Sequence, residues 1–417
     1  MHSIPRDDTF DASLALLSDG YRFISRRCAQ HKTNAFHTRI MLRPVTCVMG
    51  EDAARMFYAP GRFTRKMAMP PMTLMSLQDS GSVMTLDGAA HEHRKKMFMS
   101  LMSPDSLGEI VTVFERNWRD RLLVWEQQPA ITLHHEVEEV ICRAVCEWAG
   151  IAPSDAEVRD RTRELSAMIE GAGAIGPRNW KGLALRARTE RWARDLIDQV
   201  RAVPSSGEPD RPIELLARHR EPNGERLSTK VAAVELLNLL RPTVAVARYV
   251  TFTALALHRH PDYREKLLQD EERWLEPFVQ EVRRFYPFFP IIAGNATQAF
   301  DWHGEHFDKG SWVILDIYGT NHDPHTWNQP ARFQPERFEQ WDESPYNFLP
   351  QGGGEFLTGH RCAGEWMTIA LMKSATRLLI KEMNYEVAAQ DLSIDMSRMP
   401  AIPQSRFIIS QVKRTDQ

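Results

Sequence analysis

The chain has 417 residues, 43% of them hydrophobic and 26% charged, with a formal net charge of −3. These are the proportions of a globular chain with a sizeable core, and a charge so near balance gives no reason to expect nucleic acid or an anionic membrane as a partner. The opening Met1-His-Ser-Ile-Pro-Arg-Asp-Asp is too polar for a signal sequence, and Cys28, Cys47, Cys142, Cys146 and Cys362 form an odd, scattered set, so a reducing, cytoplasmic setting without a disulfide framework is expected.

Residues 1–35 read as short helices and turns. Residues 36–48 alternate apolar and polar side chains around Pro44, the pattern of an edge hairpin. From about residue 53 to about 200, amphipathic helical segments follow one another. Within them Cys142 and Cys146 lie one helical turn apart among Val140, Ile141 and Val145, which reads as a pair of buried thiols in preference to a metal pair. The stretches 204–212 and 221–225 are rich in Pro, Gly and Ser or Asn and are surface connections, short enough to leave residues 1–417 as a single domain.

Residues 228–258 form the longest helix candidate. Glu235, Asn238, Arg241 and Arg248 lie inside it, so a buried rod is expected in place of a membrane span. From 231 to 257 it would cover roughly 40 Å at about 1.5 Å per residue. Strand-like pieces follow at 291–300, 312–318 and 407–412. The expected fold is mainly α, with a minor β part drawn from both ends of the chain.

Four features carry chemistry. Arg241-Pro242 sits in the middle of the long helix, where a proline removes a backbone hydrogen bond at a cost of about 3 kcal/mol or more. An arginine there, among leucines and valines, keeps its charge and seeks a planar anion. Two readings stand: an internal ion pair with Glu235, or a receptor for a ligand carboxylate. Glu281 and Arg284, three residues apart on a helix ending at Tyr286-Pro287, can pair on one face. Arg337 follows in Phe333-Gln-Pro-Glu-Arg-Phe338. Last comes the loop Gln351-Gly-Gly-Gly-Glu-Phe-Leu-Thr-Gly-His-Arg-Cys362-Ala-Gly364, leading into a helix expected over 365–380. Its glycines allow close backbone approach. Cys362, just before a helix N-terminus, is placed where the helix dipole favours a thiolate.

Together and in this order, the Glu-x-x-Arg helix, the Pro-Glu-Arg-Phe segment and the Gly-rich cysteine loop resemble the cytochrome P-450 superfamily. The resemblance implies that Cys362 is the axial thiolate of a haem b (iron protoporphyrin IX), with Glu281, Arg284 and Arg337 a structural network behind it. Arg241-Pro242-Thr243 replaces the acid–alcohol pair with which monooxygenases of the superfamily deliver protons. That replacement, with Gly-His-Arg-Cys-x-Gly-Glu-Trp at the loop, resembles the bacterial fatty-acid peroxygenases and the related decarboxylases. The implied activity is hydroxylation of a fatty acid at Cα or Cβ by hydrogen peroxide, with decarboxylation to a terminal alkene as a side reaction. In that branch Arg241, beside Pro242, holds the substrate carboxylate, which moves the peroxide's protons itself. No obligatory reductase and no membrane anchor are expected.

The departures are specific. Met84 stands where relatives place a glutamine or histidine, and methionine can neither donate a strong hydrogen bond nor carry a proton; it packs against haem or substrate. Asn295 stands where an arginine often meets a haem propionate, so Arg65, His91 and Lys95 are expected to take that role, Arg65 having a solvated surface position as its alternative. Phe288 and Phe289 are expected to wall the pocket. Three other functions remain open on the sequence: a redox-partner-dependent monooxygenase, a non-catalytic haem sensor, and a cysteine hydrolase with Cys362 as nucleophile and His360 as base.

Overall fold

The computed structural model describes residues 4–69, 81–174, 176–204, 207 and 210–415. The N-terminal part runs α1 (Ser13–Asp19), α2 (Phe23–His31), β1 (Ala35–Ile40), β2 (Arg43–Val48), α3 (Glu51–Phe57) and β3 (Phe63–Thr64). The helical body follows as α4 (Gly88–Ser100), α5 (Pro104–Trp125), β4 (Ala130–Thr132), α6 (Leu133–Ala149), α7 (Asp155–Gly171), α8 (Pro177–Ala202) and α9 (Pro212–Arg218). It continues with α10 (Thr229–Ala245), α11 (Ala247–Arg259), α12 (Pro261–Gln269) and α13 (Glu271–Phe285). The C-terminal part adds β5 (Ile291–Ala296), β6 (Phe300–Trp302), β7 (Glu305–Phe307), β8 (Trp312–Asp316), α14 (Ile317–Thr320), α15 (Glu365–Arg377), β9 (Met383–Glu386) and β10 (Ile408–Arg414).

The minor β part does join the two ends of the chain. The expected hairpin forms with Ala35 opposite Val48 and Ile40 opposite Arg43, and β1 is an edge of a five-stranded sheet ordered β1-β2-β8-β5-β3. There β2 pairs in parallel with β8, a pairing that only a long crossover can supply. A second sheet sets β10 between β4 and β9.

The largest apolar cluster lies among the helices. On α6, Val137, Val140, Ile141, Val145 and Trp148 are buried, at helical spacings that present one face to α10 and α11. Trp118 and Trp125 on α5 fill the opposite side. Cys142 and Cys146 are buried in this cluster and hydrogen-bonded to each other.

The long rod is two helices. Ser228 caps α10 by accepting the Val231 N–H, as a helix start requires. Pro242 has no N–H to donate back to Asn238, and one turn later the ladder tightens: Val246 N–H bonds Thr243 O at 3.1 Å. Then α11 restarts at Ala247. The helix after the cysteine loop is likewise shorter than expected: α15 ends at Arg377, and residues 378–382 widen into a π turn.

Glu281, Arg284 and Arg337 are joined in one buried network. Arg284 grips Glu281 with two parallel bonds of 2.7 and 2.8 Å, and Arg337 Nε lies 3.2 Å from Glu281 Oε2. Gln334 N–H adds a bond of 2.7 Å to the same carboxylate. Arg284 also donates to the carbonyls of Asn321, Pro330 and Arg332, so one buried carboxylate organises the segment from 321 to 337. Removing it leaves two arginines without their counter-charge. Glu281→Ala should lose about 3–5 kcal/mol of stability, read as a fall in the urea midpoint with the slope unchanged. A loss below about 1 kcal/mol would mark the network as no more than a surface ion pair.

Candidate active site

The cysteine loop is held from three sides. Its glycines fold it against Tyr58: Gly354 has φ +76°, and a Cβ there would stand 2.9 Å from Tyr58 Cβ. Gly352 has φ +92°, and Gly354 N–H bonds Pro345 O at 2.8 Å. Residues 355–359 close on themselves through Gly359 N–H to Glu355 O at 3.1 Å. Cys362 N–H then returns to Gln351 O at 3.1 Å. Glu365, at the first position of α15, is bound by Arg361 at 2.6 Å and by Arg283 from α13. Burial raises the Glu365 carboxyl, but Arg283 and Arg361 outweigh it and hold the group below its usual range.

Cys362 is half-buried, just ahead of α15. The helix position alone does not make it a thiolate. Burial, and after it Glu365, push the thiol up, while Lys95, the Gly364 N–H and the Gln351 amide pull it down. Gln351 Nε2 lies 3.6 Å from the sulfur. A thiolate at this place therefore needs a further positive centre against it, and that is the chemistry of a metal ligand.

Beside the sulfur is a concentration of cationic groups. His91 and Lys95 lie one turn apart on α4, and both are buried. The His91 ring sits 3.8 Å from that of His360, and Lys95 Nζ reaches Arg361 O. Burial, then Lys95 and Arg65, drive His91 down to about 4; burial, then Arg65, His91 and Lys95, drive His360 to about 2. Burial also lowers Lys95 to about 8, and it lowers Arg65, which lies beside the Tyr58 hydroxyl. Arg65 is half-buried. Two cations, Lys95 and Arg65, packed with histidines that burial keeps neutral, are suited to an anion with more than one charge. A cysteine on a glycine-rich loop folded against Tyr58 and a flank holding Lys95 and Arg65 fit an iron porphyrin with two carboxylates. Asn295 takes no part in that flank: its Nδ2 bonds Lys66 O at 2.9 Å on the sheet edge.

Arg241 is buried on α10, with Nη2 3.1 Å from Asn238 Oδ1. The ion pair considered for it is made elsewhere. Glu235 Oε1 accepts Arg94 Nη1 at 2.5 Å and Val83 N–H at 2.8 Å, while Oε2 accepts Asn238 Nδ2 at 2.9 Å. This chain, Arg94–Glu235–Asn238–Arg241, escaped the sequence reading. Only the spacing 235, 238, 241 along one helical face hinted at it. It ties α4, which carries His91 and Lys95, to the turn that carries Met84 and to Arg241. Met84 is half-buried in that turn (Val83–Thr85).

Downstream on the same rod, Thr243 Oγ1 donates to Leu239 O at 2.8 Å and lies 3.6 Å from Met367 Sδ on α15. Tyr249 OH lies 3.5 Å from Pro350 O. The kinked rod thus runs against the start of the cysteine helix. Phe288 stacks on Tyr249 with ring centroids 4.3 Å apart, whereas Phe289 packs against the sheet-side cluster. The structure separates the two phenylalanines and puts only Phe288 against the rod.

Residues 250–409 match the cytochrome P450 family. A putative cytochrome P450 138 of Mycobacterium tuberculosis is 25% identical over 74% of this chain and 73% of its own length. Cytochrome P450 3A11 of Mus musculus is 25% identical over 40% of this chain, which spans only 36% of that protein. Among solved structures, a variant of cytochrome P450SP alpha (CYP152B1) is 45% identical, with 97% of this chain and 99% of that chain covered and a TM-score of 0.94. Cytochrome P450EX alpha (CYP152N1), solved with myristic acid, is 40% identical over 100% of both chains, with a TM-score of 0.95. A variant of cytochrome P450 OleT in complex with arachidonic acid is 30% identical over 100% of both, with a TM-score of 0.94.

The cationic flank can be tested without turnover. Replacing Arg65 and Lys95 together by leucine should speed haem loss to apomyoglobin by about tenfold per cation removed, the worth of a hydrogen bond to a charged group. The far-UV circular dichroism should stay unchanged. Unaltered haem retention would move both cations out of the site.

Proposed function

The chain belongs to the cytochrome P450 superfamily, in its CYP152 group, and from that premise we propose how its own residues make it a fatty-acid peroxygenase. Its cofactor is haem b, its oxidant hydrogen peroxide, and its reaction converts a fatty acid and peroxide to a hydroxy acid and water. The observation that carries the reading is Arg241: a buried guanidinium beside Pro242, on the helix that packs against the cysteine loop.

The haem supplies an iron that activates oxygen, and a thiolate ligand donates the electron density that favours O–O cleavage. Cys362 is that ligand, steadied by the Gly364 N–H, the Gln351 amide and Lys95. Arg65, His91 and Lys95, joined by His360, hold the propionates.

Arg241 binds the substrate carboxylate, and Asn238 aims its guanidinium. A carboxylate pinned there brings Cα and Cβ nearest the oxidant, so position decides which carbon reacts. The proton transfers fall to the same carboxylate, because the protein side of the site has little to offer. Pro242 carries no N–H, and the Thr243 hydroxyl is turned back to Leu239 O. Met84 carries no proton either, which favours hydroxylation and leaves decarboxylation a minor course. Phe288, stacked on Tyr249 of α11, lines the pocket.

No reductase is needed on this scheme. Five free cysteines suit a reducing, cytoplasmic setting. Residues 1–417 act as one haem-thiolate domain, supported by an apolar cluster that draws side chains from Met97 through to Val412.

Arg241→Ala should lower peroxide-driven kcat/KM for a saturated fatty acid by roughly 100-fold or more, while a short carboxylic acid in solution restores oxidation of substrates lacking an acid. Native activity in that variant, or activity in the parent only with an electron-transfer partner, contradicts the scheme. Asn238→Ala leaves the cation in place but lets it swing. It should cost about three- to tenfold in kcat/KM, chiefly through KM, and an unchanged KM would reduce Asn238 to packing.

A further inference from the structure

The ends of α8 and α9 meet beside a short hairpin, and arginines gather there. Arg201 Nε donates to Ala217 O in the last turn of α9 at 2.8 Å, and Arg218 Nη2 donates to Val200 O and Val203 O at the end of α8, at 3.3 and 3.1 Å. Cations suit helix C-termini, so both side chains have a structural purpose. Arg201 also donates to Thr229 Oγ1 and Leu227 O. All three of its nitrogens are thus held, and by neutral acceptors.

Arg220 and Arg226 have no such purpose. They stand opposite each other in an antiparallel bridge, closed by Glu221 N–H to Glu225 O and Gly224 N–H to Glu221 O, both at 2.8 Å. Residues paired in this way hold their side chains on one face with Cβ atoms about 5 Å apart, and like charges there are destabilising. Both arginines are exposed, and the bridge uses only their backbone, so a neutral pair would serve the hairpin better. Nor can the hairpin shift freely to part them: Arg94 binds Glu221, and His93 Nε2 lies 2.8 Å from Arg220 O. Arg220 Nη1 finds only Gly224 O, at 2.6 Å.

These four arginines, with Val203 and Pro204, line one cavity of about 200 Å³ whose wall holds no carboxylate. The neighbouring Arg194 and Arg211 are paired with Glu190 and Glu109, but among the described residues these four form no ion pair. The acidic groups on the same segments serve other donors. Asp198 accepts Thr229 Oγ1 at 2.8 Å, Glu225 accepts Asn223 Nδ2 at 3.1 Å, and Glu214 accepts the Asp210 N–H at 3.1 Å. Burial lowers the Arg201 guanidinium from its usual range; Asp198 opposes that and Arg226 adds to it. Four positive charges about one small cavity call for an anion with more than one charge, and guanidinium forks match phosphate oxygens two at a time. A nucleic-acid strand needs cations spread along a groove, whereas these converge.

We propose that Arg201, Arg218, Arg220 and Arg226 form a binding site for the phosphate groups of a small soluble anion. Arg201 and Arg218, fixed on the helix ends, make the floor of the site, and the opposed pair on the hairpin closes on the ligand, which relieves their repulsion. The site shares no residue with the catalytic reading and does not depend on it, because binding is measured without turnover.

The test is calorimetric titration of the holoprotein with pyrophosphate at low ionic strength. One pyrophosphate should bind per chain, more tightly than orthophosphate, and the affinity should fall as salt is added. Arg220→Gln with Arg226→Gln removes the opposed charges and leaves the helix ends alone. The thermal midpoint of the free protein should hold or rise, while the affinity for pyrophosphate falls roughly tenfold or more. Absence of binding overturns the proposal, as does binding that this variant leaves intact. Citrate binding as tightly as pyrophosphate would overturn the phosphate class. Co-sedimentation with vesicles containing phosphatidic acid separates the sources: no pelleting is expected, and pelleting that pyrophosphate displaces would assign the same arginines to a lipid headgroup and overturn the soluble ligand.

Discussion

A sulfur buried as deeply as that of Cys362 cannot hold a negative charge unless positive charge is brought to it, and much of the chain's architecture answers that constraint. Burial and the neighbouring Glu365 both oppose the thiolate. Glu365 is nonetheless retained because it neutralises Arg283 and Arg361, the clamps between α13, the loop and α15. The loop is fixed by a carboxylate that works against its own sulfur. The iron of a haem would resolve the conflict, and on the proposed scheme Lys95 and Arg65 would meet the cofactor's carboxylates.

A second charge problem sits on the rod opposite the loop. Arg241 would be costly in an apolar helix, and the carboxylate nearest to it in sequence is engaged by Arg94, Asn238 and the Val83 N–H. That arrangement sets the direction of the guanidinium through Asn238. It also couples three features distant in sequence: the propionate-side helix, the Met84 turn and the substrate anchor. Pro242 and Thr243, which yield no proton donor, complete a site in which the ligand brings the acid–base group. On the proposed scheme loop and rod divide the work, with electron donation on one side and selection of an acidic substrate on the other.

The sequence made much of this legible, for physical reasons. The Glu281–Arg284–Arg337 network was readable because it is local in motif and has few alternative partners once buried. The hairpin at 35–48 was readable from its alternation. The rod was read as continuous since propensity alone does not say how a helix absorbs a proline; the structure breaks it at Val246, one turn later. The Cys362 thiolate was read from helix position, which misses the larger effect of burial. Pairings across long sequence gaps, such as Arg94 with Glu235 or Arg283 with Glu365, left no periodic signal. His360 was noticed as a base, but only its packing on His91 shows it to be a neutral ring in a cationic flank.

The central claim is that peroxide itself supplies the oxygen and the substrate's carboxylate handles the protons. Hydrogen peroxide labelled with oxygen-18, supplied with a saturated fatty acid in air and without any reductase, tests it most directly. The account predicts a hydroxy acid, at Cα or Cβ, whose new hydroxyl carries the label. Unlabelled product, or product that forms only when electrons are delivered from a partner protein, would contradict it.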